Sequence, residues 1–230
     1  MMHWFTWKNK NSLKDYDLWI GKLPKIIRAA ERHEEIQIPG RSLSLTIKEG
    51  DDVSDDTLRE CVIITRNTNP KLSEINDWLS GKSDLAFSNE PEFIYTAQIL
   101  GEVQFDRISN DLLQATLPFI CEPFRRAKFE ETLAFTASGH IFNRGNVASR
   151  PLVSITAEGN RTIAIGGQEM TLNALTGTVD VDCDAGIITQ NGELWTGEVT
   201  GDFWRIPKGQ STITLPASTS VQIQPRWRWK

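Results

Sequence analysis

Short runs of alternating apolar and polar residues, cut every few positions by Gly, Pro, Asn or Asp, confine this chain to a mainly β fold. Clear period-2 stretches are Glu35-Ile36-Gln37-Ile38, Ser42-Leu43-Ser44-Leu45-Thr46-Ile47 and residues 60–65. Between the first two lies Ile38-Pro39-Gly40-Arg41. Proline presets φ and glycine tolerates positive φ, so this segment is a turn or sharp bend joining two strands. The 8 Trp, 10 Phe and many Val, Ile and Thr are the residue types that favour a pleated, half-buried surface.

One segment departs from that period. From Asn69 to Gly81, Leu72, Ile75, Trp78 and Leu79 fall at helical spacing. Asn69 is a suitable N-cap, Pro70 suits the first turn and Gly81 a C-terminal stop, so the spacing predicts one amphipathic helix of about three turns. Residues 24–32 read as weakly helical or irregular. Strands follow at 84–87, 92–106 and 111–121. Glu122-Pro123 then interrupts the strand signal, and the short charged run Phe124-Arg125-Arg126-Ala127-Lys128 marks a domain boundary. The expected domains are 1–128 and 129–230. Beyond the boundary, strands read at 133–136, 140–142, 152–157, 162–165, 169–172, 178–183, 186–189, 211–215 and 220–224. Gly166-Gly167 and Asn191-Gly192 suit primed hairpin turns. So many short strands in about a hundred residues imply a β-sandwich or jelly roll.

Composition narrows the function classes. With 230 residues, 25 Lys and Arg and 30 Asp and Glu, the chain carries a formal charge of −5, which argues against a globally basic nucleic-acid binder. No run approaches the roughly 18 apolar residues that span a bilayer, and the N-terminal stretch lacks the apolar core of a secretory signal. Cys61, Cys121 and Cys183 are odd in number and far apart, which suits buried thiols better than a disulfide framework. There is no G-x-S-x-G, Walker A or G-x-G-x-x-G motif, and His3, His33 and His140 have no partners at metal-ligand spacing. No catalytic residue, metal site or cofactor is expected. Asp180, Asp182 and Asp184 open like a calcium loop, but Asn191 stands where that loop needs Glu, so they read as the polar side of a strand. Asp51, Asp52, Asp55 and Asp56 form an acidic cluster, either a solvated loop tip or the negative lining of a passage. Trp195, Trp204, Trp227 and Trp229 would suit either core packing or a sugar-stacking platform.

The order of these features resembles the distal tail protein (Dit) family of siphophages and prophages. The resemblance spans nearly the whole chain. It rests on Ile38-Pro39-Gly40-Arg41, Ile75-Asn76-Asp77-Trp78-Leu79, Glu92-Phe93-Ile94-Tyr95-Thr96-Ala97 and Leu117-Pro118-Phe119-Ile120-Cys121-Glu122-Pro123-Phe124. In the second half it rests on Phe142-Asn143-Arg144-Gly145-Asn146, Ser149-Arg150-Pro151, Val179-Asp180-Val181-Asp182-Cys183, Gly201-Asp202-Phe203 and Gln224-Pro225-Arg226-Trp227-Arg228. The chain departs from the family pattern at Ser42-Leu43 and at Ser211. The resemblance implies a virion structural protein rather than an enzyme. It implies an N-terminal β-barrel-like domain with a long hairpin and one helix, and a C-terminal galectin-like β-sandwich. The first would form a homohexameric ring at the distal end of a long non-contractile tail, the second a docking place. Expected partners are the tail-tube protein, a tail-tip or tail-associated lysin-like protein, the tape-measure protein and receptor-binding or baseplate proteins. No membrane and no sequence-specific nucleic acid are implied, and synthesis is expected in the host bacterial cytoplasm. Two other readings are a carbohydrate-binding protein acting through the second domain and a tail-tube subunit.

Overall fold

A computed structural model describes residues 2–40, 42–48 and 53–230. The fold is mainly β, as expected, and divides into two compact units, the first running to Lys128 and the second from Phe129 to Trp229. The first holds β1 (Phe5–Trp7), β2 (Lys10–Asn11), α1 (Ser12–Tyr16), β3 (Trp19–Lys22), β4 (His33–Ile36), β5 (Leu45–Lys48) and β6 (Thr57–Arg66). It continues with α2 (Leu72–Trp78), β7 (Gly81–Phe87), β8 (Phe93–Ile99), β9 (Asp106–Arg107) and β10 (Leu112–Ala127). Its main sheet runs β2-β1-β7-β8-β10-β6-β3, with β9 also on β10, and β4-β5 form a separate two-stranded sheet.

The core of this unit lies on the inner face of the main sheet, under α2. Trp78 is its centre. Its ring stacks on Tyr16 at 4.2 Å and on Phe5 at 5.6 Å, and its indole N–H donates to Trp7 O at 2.9 Å while the Trp7 indole donates to Trp78 O at 3.0 Å. Both indoles are thus buried with their polar atoms satisfied. Ile75, Trp78 and Leu79 are buried and Leu72 half-buried, as the helical spacing requires.

The helix is shorter than its sequence signals. It begins at Leu72 with Lys71 as N-cap and ends at Leu79, and Gly81 already opens β7. Asn69 lies two residues before that N-cap. It is buried, its oxygen accepts the Lys71 N–H as a capping side chain would, and its amide donates to Tyr16 O and Thr65 Oγ1 at 2.8 Å, so tertiary hydrogen bonds hold it outside the helix. A second helix, α1, was not expected. Asn11 caps it by accepting from Leu13 and Lys14 N–H, Asp15 accepts back from Asn11 N–H, and Asp17 closes it with φ 51°.

Glu122-Pro123 does not end a strand. β10 passes through it to Ala127, and its pairing with β8 shifts register between Cys121 and Arg125. This is a bulge, a place where a proline without an N–H is tolerated.

The second unit holds β11 (Leu133–Phe135), β12 (Gly139–Asn143), β13 (Leu152–Ile165), β14 (Gln168–Asp182), β15 (Ile187–Gln190), β16 (Glu193–Leu194), β17 (Val199–Gly201), β18 (Gly209–Thr214), β19 (Ser220–Gln224) and β20 (Arg228–Trp229). One sheet path runs β11-β19-β13-β14-β15-β16, while β12 pairs β18, β18 also pairs β13, and β17 pairs β14. The strands expected at 152–157 and 162–165 are one, β13, and those at 169–172 and 178–183 are one, β14. The reason is local. The pairing slips between Gly159 and Arg161, and the Asn160 side chain accepts the N–H of Ala174, which has φ 57°. Residues that resemble turn punctuation are accommodated as an irregularity inside a long hairpin. Gly166-Gly167 and Asn191-Gly192 do turn, with positive φ at both positions of each pair.

Val179, Val181 and Cys183 are buried, and the alternating aspartates point the other way. Asp182 makes a two-pronged bond to Arg226, at 2.7 and 2.9 Å, and accepts the N–H groups of Asp184 and Ala185; Asp180 accepts from Ser154. The Arg226 guanidinium chiefly holds the Asp182 carboxyl below the usual aspartate range. A depressed folded-state pKa contributes stability that is full above the unfolded value, about 4, and is lost as pH falls through the folded value. Asp182→Asn is therefore expected to cost on the order of 1 kcal/mol at neutral pH, the pair being partly solvent-screened. That cost should shrink toward zero in acid below pH 4. Thermal melts of both proteins across pH 2–7 measure it, and a constant difference would contradict the assignment.

Candidate interface: an amphipathic arm

β4 and β5 pair as His33↔Lys48, Glu34↔Ile47, Glu35↔Thr46 and Ile36↔Leu45. In an antiparallel pair, directly opposed residues share a face and neighbours along a strand alternate. One face therefore carries Glu34, Ile36, Leu45 and Ile47, and the other His33, Glu35, Thr46 and Lys48. Ile38 and Leu43 continue the apolar alternation toward the tip at Pro39 and Gly40. Every residue of both strands is exposed, with Ile36 at 40%, Leu45 at 47% and Ile47 at 42%, and Leu43, ahead of β5, is at 80%. An apolar stripe on a two-stranded ribbon has no core of its own, and such a ribbon is marginal in water unless something covers it. Ile38 is half-buried and Pro39 and Gly40 are exposed, while Arg41 lies outside the described residues.

The stem of this arm is stitched by a Glu31↔Ser54 bridge, Arg32 N–H to Val53 O at 3.3 Å and Asp55 N–H to Ala30 O at 2.9 Å. Arg32 Nε donates to the Asp55 carboxylate at 2.9 Å, so part of the acidic cluster serves the stem. Asp56 is exposed, and Asp51 and Asp52 lie outside the described residues.

A second apolar surface lies on the outer face of the main sheet. β6 reads Cys61-Val62-Ile63-Ile64, apolar on both sides, as in strands covered on two faces. Cys61 and Ile63 point into the core, and Val62 and Ile64 point out, half-buried. Opposite them stand Thr116 and Gln114 of β10 and Trp19 of β3, and Leu58 of β6 is 48% exposed. Gly21 packs so closely on this face that a Cβ there would lie 2.5 Å from the Ile64 side chain.

Leu72, Ile75, Trp78 and Leu79 serve the core rather than a surface. Trp204 and Trp227 are buried, and Trp195 and Trp229 pack half-buried against the core of the second unit. Buried Trp204 and Trp227 offer no face to a sugar ring, so these two serve core packing. Cys61, Cys121 and Cys183 are buried free thiols, and burial is the main cause that pushes each up to about 12. Among the described residues no group of three His, Cys, Asp or Glu is placed to hold a metal, and no helix is long and apolar enough to cross a membrane. The stripe was present in the sequence as two period-2 runs around a turn. Its exposure was not.

No protein-family model and no curated protein matches the chain. Among solved structures it resembles the crystal structure of the SPP1 Dit (gp 19.1) protein, described as a paradigm of the hub adsorption apparatus in phages that infect Gram-positive bacteria. The TM-score is 0.75 at 14% sequence identity, and the match covers 97% of this chain and 98% of that one. Over nearly all its length, this chain has the fold of a phage Dit protein.

Proposed function

We propose that this chain is the subunit of a ring-shaped hub at the distal end of a long non-contractile phage tail. The carrying observation is a fold shared, over nearly the entire chain, with a phage hub adsorption protein. The amphipathic arm and the two-sided strand β6 supply the physical support, because both leave apolar surface that a neighbouring copy would cover. In this reading the first unit, 1–128, closes a homohexamer and the second, 129–230, lies available for docking. The ring joins the tail-tube protein to the tail-tip protein and to receptor-binding or baseplate proteins, with the tape-measure protein and DNA passing through. The role is structural, without catalysis, and the site of action is the virion. A passage for DNA works best without cationic walls, since phosphate contacts repeated around a ring would hold the duplex in a salt-dependent way. Asp51, Asp52, Asp55 and Asp56 would add negative charge there.

Mass photometry over a concentration series, followed by negative-stain imaging, tests this. Particles at six times the chain mass, appearing as closed rings, are expected. A chain that stays monomeric at every concentration, alone and with its tail-tube partner, would remove the hub reading, and open stacked filaments would favour a tube subunit.

A further inference from the structure

Between β3 and β4, residues 23–30 form neither helix nor strand, yet they carry one leg of the arm. A segment without a backbone ladder opens easily unless side chains satisfy its carbonyls. One side chain does so from inside the first unit. Arg59 lies on the inner face of β6 at 7% exposure. Its Nη1 donates to Lys25 O at 3.4 Å and its Nη2 to Ile27 O at 3.2 Å. Its guanidinium carbon lies 4.4 Å from the centroid of the Tyr95 ring. Tyr95 is itself held, donating its hydroxyl to Glu90 at 2.6 Å, while Glu90 also binds Arg125 at 2.9 Å. Arg59 has no carboxylate partner among the described residues, and its Nε has no hydrogen-bond acceptor.

For stability alone this is a poor choice. A buried guanidinium without a counter-ion is costlier than a hydrocarbon side chain of similar volume. What a hydrocarbon cannot do is bind two carbonyls two residues apart with one rigid planar fork. We propose that Arg59 is a latch that fixes residues 23–30 and thereby sets the direction in which the arm leaves the first unit. The inference rests on the reading that the arm joins neighbouring copies, and it makes Arg59 a positioning residue for that contact. A closed ring needs every arm at one angle, so a loosened latch would weaken closure without removing any residue of the contact.

The test uses the full chain with Arg59→Lys, which keeps the charge but cannot span both carbonyls, and Arg59→Met, which keeps the stem alone. Tryptic cleavage at Lys25 and Arg28, and hydrogen exchange at the stem amides of Arg32 and Asp55, which donate to Val53 O and Ala30 O, report the latch, thermal melting the fold, and mass photometry the ring. Both variants should melt cooperatively within about 5 °C of the parent. Cleavage at Lys25 and Arg28 and exchange of the Arg32 and Asp55 amides should rise about tenfold or more while β6 and β10 stay protected, and rings should need higher concentration. Unchanged cleavage at Lys25 and Arg28 would overturn the latch. Equal loss of protection across the whole first unit, or failure of both variants to fold, would also overturn it by making Arg59 a core residue. If the parent forms no ring, the hub reading falls, and cleavage at Lys25 and Arg28 still decides the latch.

Discussion

Trp78→Ala is expected to destabilise the first unit by about 3–5 kcal/mol, the range for deleting a fully packed aromatic side chain. At the size of this unit, that is a fall in melting temperature of about 10–20 °C. The loss has two sources. A large cavity opens between Tyr16 and Phe5, which both stack on the indole. Trp7 O also loses the indole donor that satisfies it, and a buried acceptor left alone costs about 1–3 kcal/mol. Trp78→Phe separates the terms, because it keeps most of the stack and removes only the N–H, so a loss of about 1–2 kcal/mol is expected. Urea unfolding followed by the far-ultraviolet signal measures both. A change under about 1 kcal/mol for Trp78→Ala would mean that the ring is not the packing centre of the unit.

Leu45→Asp is expected to abolish ring assembly while leaving the isolated chain folded. Leu45 is 47% exposed, so the monomer should change by less than about 0.5 kcal/mol. In a contact between copies, the substitution removes roughly 1.5–3 kcal/mol of apolar burial and forces a carboxylate toward an apolar surface. A loss of at least about 2.7 kcal/mol per contact raises the concentration needed for assembly by at least about 100-fold. His33→Asp, on the polar face and directly opposite Lys48, serves as the control and should assemble like the parent. Concentration series by mass photometry on the three proteins decide it. Rings from Leu45→Asp at parental concentrations would show that the stripe is not the contact, and equal failure of His33→Asp would show that the effect is charge and not the apolar face.

Legibility followed the range of the interactions. Residues 42–47 alternate in residue type along an exposed strand, and residues 57–66 alternate between the core and the outer face; both periods are local enough to read. Helix α2 was legible for the same reason, through Leu72, Ile75, Trp78 and Leu79. Its start was not, because the Asn69 amide is tied to Tyr16 O, a partner far away in the chain, while its oxygen still makes the local bond to Lys71 N–H. Helix α1 was missed although Asn11 and Asp15 were in plain order, since five residues make too short a period to see. Punctuation misled where the tertiary structure could absorb it. Pro123 became part of a bulge, and Gly159 became part of an irregularity in the β13-β14 hairpin.

The arm marks the dividing line. By itself the sequence determined that residues around Ile36 and Leu45 form two amphipathic strands about a Pro39-Gly40 turn, because side-chain alternation and turn chemistry act within a few residues. It determined equally that the chain is mainly β and built to bury Trp78. Only the tertiary structure decided that Ile36, Leu45 and Ile47 find no core, that Val62 and Ile64 lie on an outer face, and that Arg59 reaches Lys25 O and Ile27 O. Burial and pairing of this kind depend on which distant segments meet, and a period along the chain carries no record of that meeting.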